Sequence, residues 1–119
     1  MKNLVPLGHV AIFYIPIHKL NAIYGLQTAR EMFEQYLIEN YDAFTLEISN
    51  TLGFWRAHKD AEIAKDSNVR YEVSFSGKER IPDFVNFLSE MCALMNEQAI
   101  YLTMGWKSYL VLPQEKNEV

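Results

Sequence analysis

The sequence predicts one α+β domain, an antiparallel sheet of four or five strands with two amphipathic helices on one face. Three observations carry that expectation. Two segments place apolar residues at helical spacing, several others alternate at strand length, and proline or glycine punctuates most joins. A chain of 119 residues, half apolar and 22% charged, also has the size and composition of a single globular core. The domain is expected over 1–112, with 113–119 as a polar tail.

From Val10 to Ile15 every residue is apolar or aromatic, the pattern of a central strand buried on both sides. Pro16 ends it, because proline has no N–H for a ladder. Residues 17–27 show no period and read as a connection. Thr28-Ala29-Arg30-Glu31 forms a capping box. Behind it Ala29, Met32, Phe33, Tyr36 and Leu37 repeat at i, i+3, i+4, i+7 and i+8, a helix ending near Asn40 and Tyr41.

Phe44, Leu46 and Ile48 alternate with Thr45, Glu47 and Ser49 in a half-buried strand. It continues through Leu52 and Phe54, with Gly53 as a bulge or bend. Residues 56–68 are polar, and Ala57 to Lys65 read as a short exposed helix. Val69, Tyr71, Val73 and Phe75 then alternate with polar residues in a cleaner strand. Pro82 starts the second helix, whose buried stripe is Phe84, Val85, Leu88, Met91, Cys92 and Met95. Phe87 and Leu94 widen that stripe at one flank. Residues 99–104 form a strand, Gly105-Trp106-Lys107 turns the chain, and 108–112 returns as a hairpin partner.

Strand, helix, strand, strand, helix, strand is the element order of a ferredoxin-like βαββαβ sandwich, here with a C-terminal hairpin extension. The resemblance is one of order alone and implies no function. It implies that both helices cover one face, so the other must be wet or partnered. Thr45, Glu47, Ser49, Arg70, Glu72 and Ser74 fall there, with Glu47 and Arg70 positioned to pair across strands. The first and last strands add apolar groups and Tyr101 to the same face. A homodimer is expected through that face or the Phe87/Leu94 flank.

Fifteen acidic against eleven basic side chains give a net charge of −4, and the basic residues are scattered. Nucleic acid and anionic membrane surfaces are disfavoured as partners. The longest wholly apolar run, Val10 to Ile17, is too short to span a bilayer. One cysteine, Cys92, permits no internal disulfide, and a cytoplasmic setting is expected.

No phosphate-binding glycine loop, zinc-ligand pairing or nucleophile elbow is present, and neither metal nor cofactor is expected. The most suggestive stretch is Phe54 to Asp60. There Arg56 can clamp a carboxylate or phosphate, and His58 adds an imidazole able to give or take a proton. Trp55, Arg56 and His58, with His18 and Tyr24 from the first connection, form the candidate ligand site. Phe87, Leu94 and Tyr101 are the candidate interface. Glu97, near a helix C-terminus, is disfavoured there by the dipole, and reads as helix termination at Asn96. Missing catalytic signatures favour a non-catalytic interaction or regulatory module. The alternative is a small enzyme or ligand-binding protein with a pocket near the ends of the first and second strands.

Overall fold

A computed structural model describes residues 3–115, the side chains of Ser49 and Asn50 excepted. Strand β1 (His9–Pro16) leads into a one-turn helix α1 (Ile17–Leu20), a two-residue hairpin β2 (Ile23–Tyr24) and β3 (Gln27–Thr28), and helix α2 (Ala29–Tyr41). A long hairpin follows, β4 (Thr45–Trp55) and β5 (Ala64–Phe75). After a 3-10 turn at Lys78–Arg80 come helix α3 (Ile81–Leu94) and the hairpin β6 (Ile100–Met104) and β7 (Lys107–Val111). The five long strands make one sheet in the order β4-β5-β1-β6-β7, and every neighbouring pair is antiparallel. The expected α+β class and antiparallel sheet hold. No helix among the described residues is long and apolar enough to cross a membrane.

Both long helices lie on the same side of the sheet. The Phe13 ring of β1 stacks on Tyr71 of β5, with centroids 5.0 Å apart and planes 3° from parallel. The same ring meets Phe33 of α2 at 5.7 Å and Phe84 of α3 at 5.9 Å. Offset and edge-on aromatic contacts of this kind add about 0.5–1.5 kcal/mol each beyond the area they bury. Alternation along β5 delivers Val69, Tyr71, Val73 and Phe75 to this layer, as the sequence predicts.

The capping box that starts α2 is present in both directions: Glu31 N donates to Thr28 Oγ1 at 3.1 Å, and Thr28 N donates to Glu31 Oε1 at 3.3 Å. At the other end Asp42 takes a left-handed conformation (φ 68°), and its N–H closes onto the Ile38 carbonyl. Arg80 lies 4.7 Å above the Tyr41 ring and donates to the Asn40 carbonyl. A cation thus sits where the helix end is negative.

Several expectations are corrected. β1 is central, yet only one of its faces is fully buried: Ala11, Phe13 and Ile15 are inside, whereas Val10 is exposed. Residues 17–27 are not a plain connection but hold α1 and the small hairpin. Ala57 to Lys65 is not helical. A nine-residue segment gains little as an isolated helix, while Ala64 to Asn68 find ladder partners in Trp55, Phe54, Gly53, Leu52 and Thr51. The bulge falls between Ile48 and Thr51, not at Gly53. Gly53 is regular and leaves room for a neighbour, since a Cβ there would stand 2.7 Å from Asn68 Nδ2. Arg70 faces Glu47 across the ladder, as expected, but pairs with Glu72 on its own strand at 2.9 Å. Phe87 is not a free flank: it stacks on Tyr36 with centroids 3.7 Å apart, inside the contact between the two helices. The tail expected over 113–119 lies outside the described residues from 116 onward.

Tyr71 is fully buried, and its hydroxyl has no hydrogen-bond partner. Burial pushes its ionisation far upward, so it stays a neutral, unpaired donor. Leaving such a group dry costs about 1–3 kcal/mol. Tyr71→Phe keeps the ring stack and removes the orphan, so the variant should be more stable by about 1 kcal/mol in urea melts. A destabilised Tyr71→Phe would mean that the hydroxyl is satisfied.

Candidate functional site

Because the helices occupy one side, the opposite side of the sheet is left uncovered by any helix among the described residues. At the end of the sheet where β1 stops at Pro16, its side chains border a cleft of about 580 Å³. Three elements build it. β1 and β6 supply Tyr14 and Tyr101, neighbours with ring centroids 6.1 Å apart. The far half of the β4–β5 hairpin extends past the bulge and supplies Trp55, Arg56, Asp66 and Asn68. The turn before β6 supplies Glu97 and Gln98, and Leu110 and Leu112 close the β7 side.

Hydrogen bonds fix the polar groups. Trp55 Nε1 donates to Asp66 Oδ2 at 3.0 Å, so the indole and the carboxylate orient each other across the hairpin. Arg56 Nη1 donates to the Lys59 carbonyl at 3.2 Å, which engages one nitrogen of its five-donor fork. The Tyr101 and Ser108 hydroxyls are 2.9 Å apart, and this bond is the first cause of a lowered Tyr101 pKa.

Glu97 reaches the cleft through the way α3 ends. Asn96 adopts a left-handed conformation (φ 55°), its N–H bonds the Ala93 carbonyl at 3.1 Å, and Glu97 N–H bonds the Cys92 carbonyl at 3.0 Å. That pair of bonds is a Schellman cap, and asparagine is the side-chain-bearing residue that best tolerates its left-handed position. The cap folds the chain back across the helix end and places Glu97 half-buried beside the sheet. Its Oε1 lies 3.8 Å from Lys19 Nζ, and the two side chains are only 15% and 26% exposed. Burial is the largest influence on this carboxyl and raises its pKa. Lys19 opposes that rise, Asp66 adds to it, and His18 opposes it weakly. Cys92, buried under the same cap, has its thiol pushed up to about 11, chiefly by burial.

No family model matches the sequence, and no curated protein matches it. Solved structures do. A phage SAM lyase in complex with S-methyl-5'-thioadenosine aligns with a TM-score of 0.59 at 12% identity, over 94% of this chain and 95% of that one. A phage SAM lyase in its apo state gives 0.57 at 13% identity, over 98% of both chains. The fold resembles that of a phage SAM lyase. At such identity the likeness extends to the fold.

Of the residues singled out in the sequence, Trp55 and Arg56 line the cleft, and so does Tyr101, singled out for an interface. His18 is exposed near its edge, close enough for its charge to act on Glu97. Tyr24 stands behind the edge, its hydroxyl donating to the Lys19 carbonyl at 3.3 Å. His58 sits in the exposed hairpin loop and is not among the lining residues. Glu97 meets Lys19. Sequence reasoning missed Tyr14, Asp66 and the importance of Glu97. Tyr14 was findable, since alternation puts it on the face opposite Phe13; Asp66 was hidden by reading its surroundings as helix and loop. Among the described residues, no group of three or more His, Cys, Asp or Glu comes together as a metal site.

The upward shift of Glu97 has a sign that can be checked. A carboxyl whose folded-state pKa is raised favours folding when protonated, and that contribution is lost as pH rises through the raised value. Glu97→Gln should therefore melt higher than the wild type at neutral pH. The difference should shrink to nothing as pH falls below the ordinary carboxylate range, in paired thermal melts across pH.

Proposed function

We propose that the protein binds a nucleoside-bearing sulfonium of the S-adenosylmethionine type in this cleft and splits its carbon–sulfur bond. The observation that carries the reading is the company kept by the lining groups: aromatic faces, two carboxylates and one guanidinium around a single cleft. Each matches part of such a ligand. Tyr14, Trp55 and Tyr101 offer ring faces to a purine and to a sulfonium cation. Arg56 has free donors for the ligand's carboxylate. Asp66 and Glu97 attract its ammonium and sulfonium charges. The volume lies within the range of small-molecule sites. The structural likeness to a phage SAM lyase supports the same reading through the fold.

Splitting a sulfonium needs no outside reagent. The sulfur leaves as a neutral thioether with the bonding pair, and the carbon it leaves must bond within its own molecule. It either closes a ring through the ligand's carboxylate oxygen or becomes an alkene by losing a neighbouring proton to a base. A cleft that holds the chain folded and poor in water favours such internal routes over hydrolysis.

Titration of S-adenosylmethionine into the protein should give saturable binding, with release of a thioether nucleoside detected by chromatography. Arg56→Ala should keep the fold by circular dichroism and weaken binding about 10- to 100-fold, the worth of a charge-assisted hydrogen bond. No binding by the wild type at millimolar ligand would sink the reading.

A second reading, self-association, is favoured by the same uncovered face, two of whose residues, Tyr101 and Leu110, also line the cleft. Val10, Tyr101 and Leu110 are exposed on the uncovered face, and Trp106 at the β6–β7 turn is fully exposed. A contiguous apolar patch on an open sheet face is a surface that a second protein copy can cover. Light scattering at micromolar concentration should give twice the 13.9 kDa chain mass, and the double variant Trp106→Ser, Leu110→Ser should return it to 13.9 kDa. A 13.9 kDa wild type would remove this reading.

A further inference from the structure

We propose that Lys19 is the positioning residue of this site: it holds Glu97 as a carboxylate aimed into the cleft, where that carboxylate meets the ligand's cationic centre. The assignment rests on the sulfonium reading above and adds to it the residue that sets the charge of the cleft.

The geometry begins at Pro16. Proline stops β1, and the single turn of α1 carries Lys19 under the C-terminal end of α3. There Lys19 Nζ donates to the Met95 carbonyl at 2.8 Å. Met95 is the C-cap of α3, and the last carbonyls of a helix carry its negative pole. The ammonium is therefore moored by a helix end rather than swinging on its stem. From that mooring it stands 3.8 Å from Glu97 Oε1, close enough for attraction but beyond a hydrogen bond. The carboxylate keeps its lone pairs for a ligand while still feeling a fixed positive charge. Both side chains are mostly shielded from water, so the attraction is screened less than in a surface pair.

Among the described residues, the groups acting on Glu97 include no second fixed cation. Burial and Asp66 of β5 both disfavour an ionised Glu97. Among the groups acting on it, exposed His18 of α1 supplies only the weakest attraction. Tyr24 of β2 and Cys92 of α3 also face Glu97, but both have raised pKa values and stay protonated and neutral at physiological pH. Take Lys19 away and the carboxyl keeps only its opponents and a weak, exposed imidazole. It would then spend more of its time protonated, and a neutral acid has no hold on a sulfonium or ammonium. The same Lys19 also gives Glu97 a fixed direction, because its mooring and the Schellman cap belong to one helix end.

The test separates charge from mooring. Lys19→Gln keeps an amide donor for the Met95 carbonyl and drops the charge; Lys19→Arg keeps both. The Glu97 carboxyl is titrated by carbon NMR in the ligand-free proteins, and S-adenosylmethionine affinity is measured against pH in the same set. In Lys19→Gln the Glu97 midpoint should rise by about one unit, and the acid limb of the affinity profile should move up with it, so affinity on that limb falls about tenfold. Lys19→Arg should restore both. An unmoved Glu97 midpoint in folded Lys19→Gln overturns the assignment whatever the ligand does. If Lys19→Gln does not fold, Lys19→Arg decides: a Glu97 midpoint that departs from the wild type there overturns it. Should the wild type fail to bind S-adenosylmethionine, the sulfonium reading falls, and the carboxyl titration still decides whether Lys19 governs Glu97.

Discussion

The stacked pair Phe13 and Tyr71 is the contact on which the rest of the structure depends. It joins the two central strands and presents one aromatic surface to both helices, through Phe33 from α2 and Phe84 from α3. Because both helices are drawn to that surface, neither is left to cover the other side of the sheet. The one-sidedness has two consequences. It places Tyr14, one residue from Phe13 and pointing the other way, on an open surface. It also lets the β4–β5 hairpin run on past the helices, where its outer half has no core to join and becomes a wall.

Much of the architecture was legible because it follows from local rules. The capping box at Thr28, the stripe from Ala29 to Leu37 and the alternation of Val69, Tyr71, Val73 and Phe75 each have one cheap solution. The misreadings fall where local preference is weak. Residues 57–65 carry no strand pattern of their own, and what makes Ala64 to Asn68 a strand is the ladder offered by Thr51 to Trp55. The same absence of pattern hid the small hairpin over 23–28. Burial on both sides of β1 was inferred from six apolar residues in a row. Composition cannot say whether a second layer exists to cover Val10, and among the described residues nothing covers it.

The candidate site was legible only in part, and for a different reason. Trp55 and Arg56 could be picked out because aromatic and guanidinium groups on a connection are conspicuous. Their partners come from β1, β5, β6 and the end of α3, separated by up to eighty-odd positions in the chain, and no spacing rule links them. Glu97 shows the difficulty well. Read alone it breaks the preference against acidic residues at a helix C-terminus. Read with Asn96 in its left-handed turn, it is the residue a Schellman cap delivers to the sheet, and Lys19 already stands at that helix end.

A carboxyl near the negative end of a helix, half-buried and within reach of the Asp66 charge, is placed against three separate electrostatic preferences. Evolution of a merely stable fold has easy remedies: glutamine at 97 would keep the cap and the shape while removing the charge. The molecule instead spends a lysine to hold that charge in place. Where Arg80 meets the end of α2, a cation satisfies a helix terminus and nothing more is asked of it. Where Lys19 meets the end of α3, the cation satisfies the terminus and also keeps a half-buried carboxylate facing an aromatic cleft. Both helix ends carry an acidic side chain, Asp42 at α2 and Glu97 at α3, but Asp42 is exposed whereas Glu97 is half-buried and lines the cleft. That difference in burial is what sets the Lys19–Glu97 pair apart from the Arg80 contact.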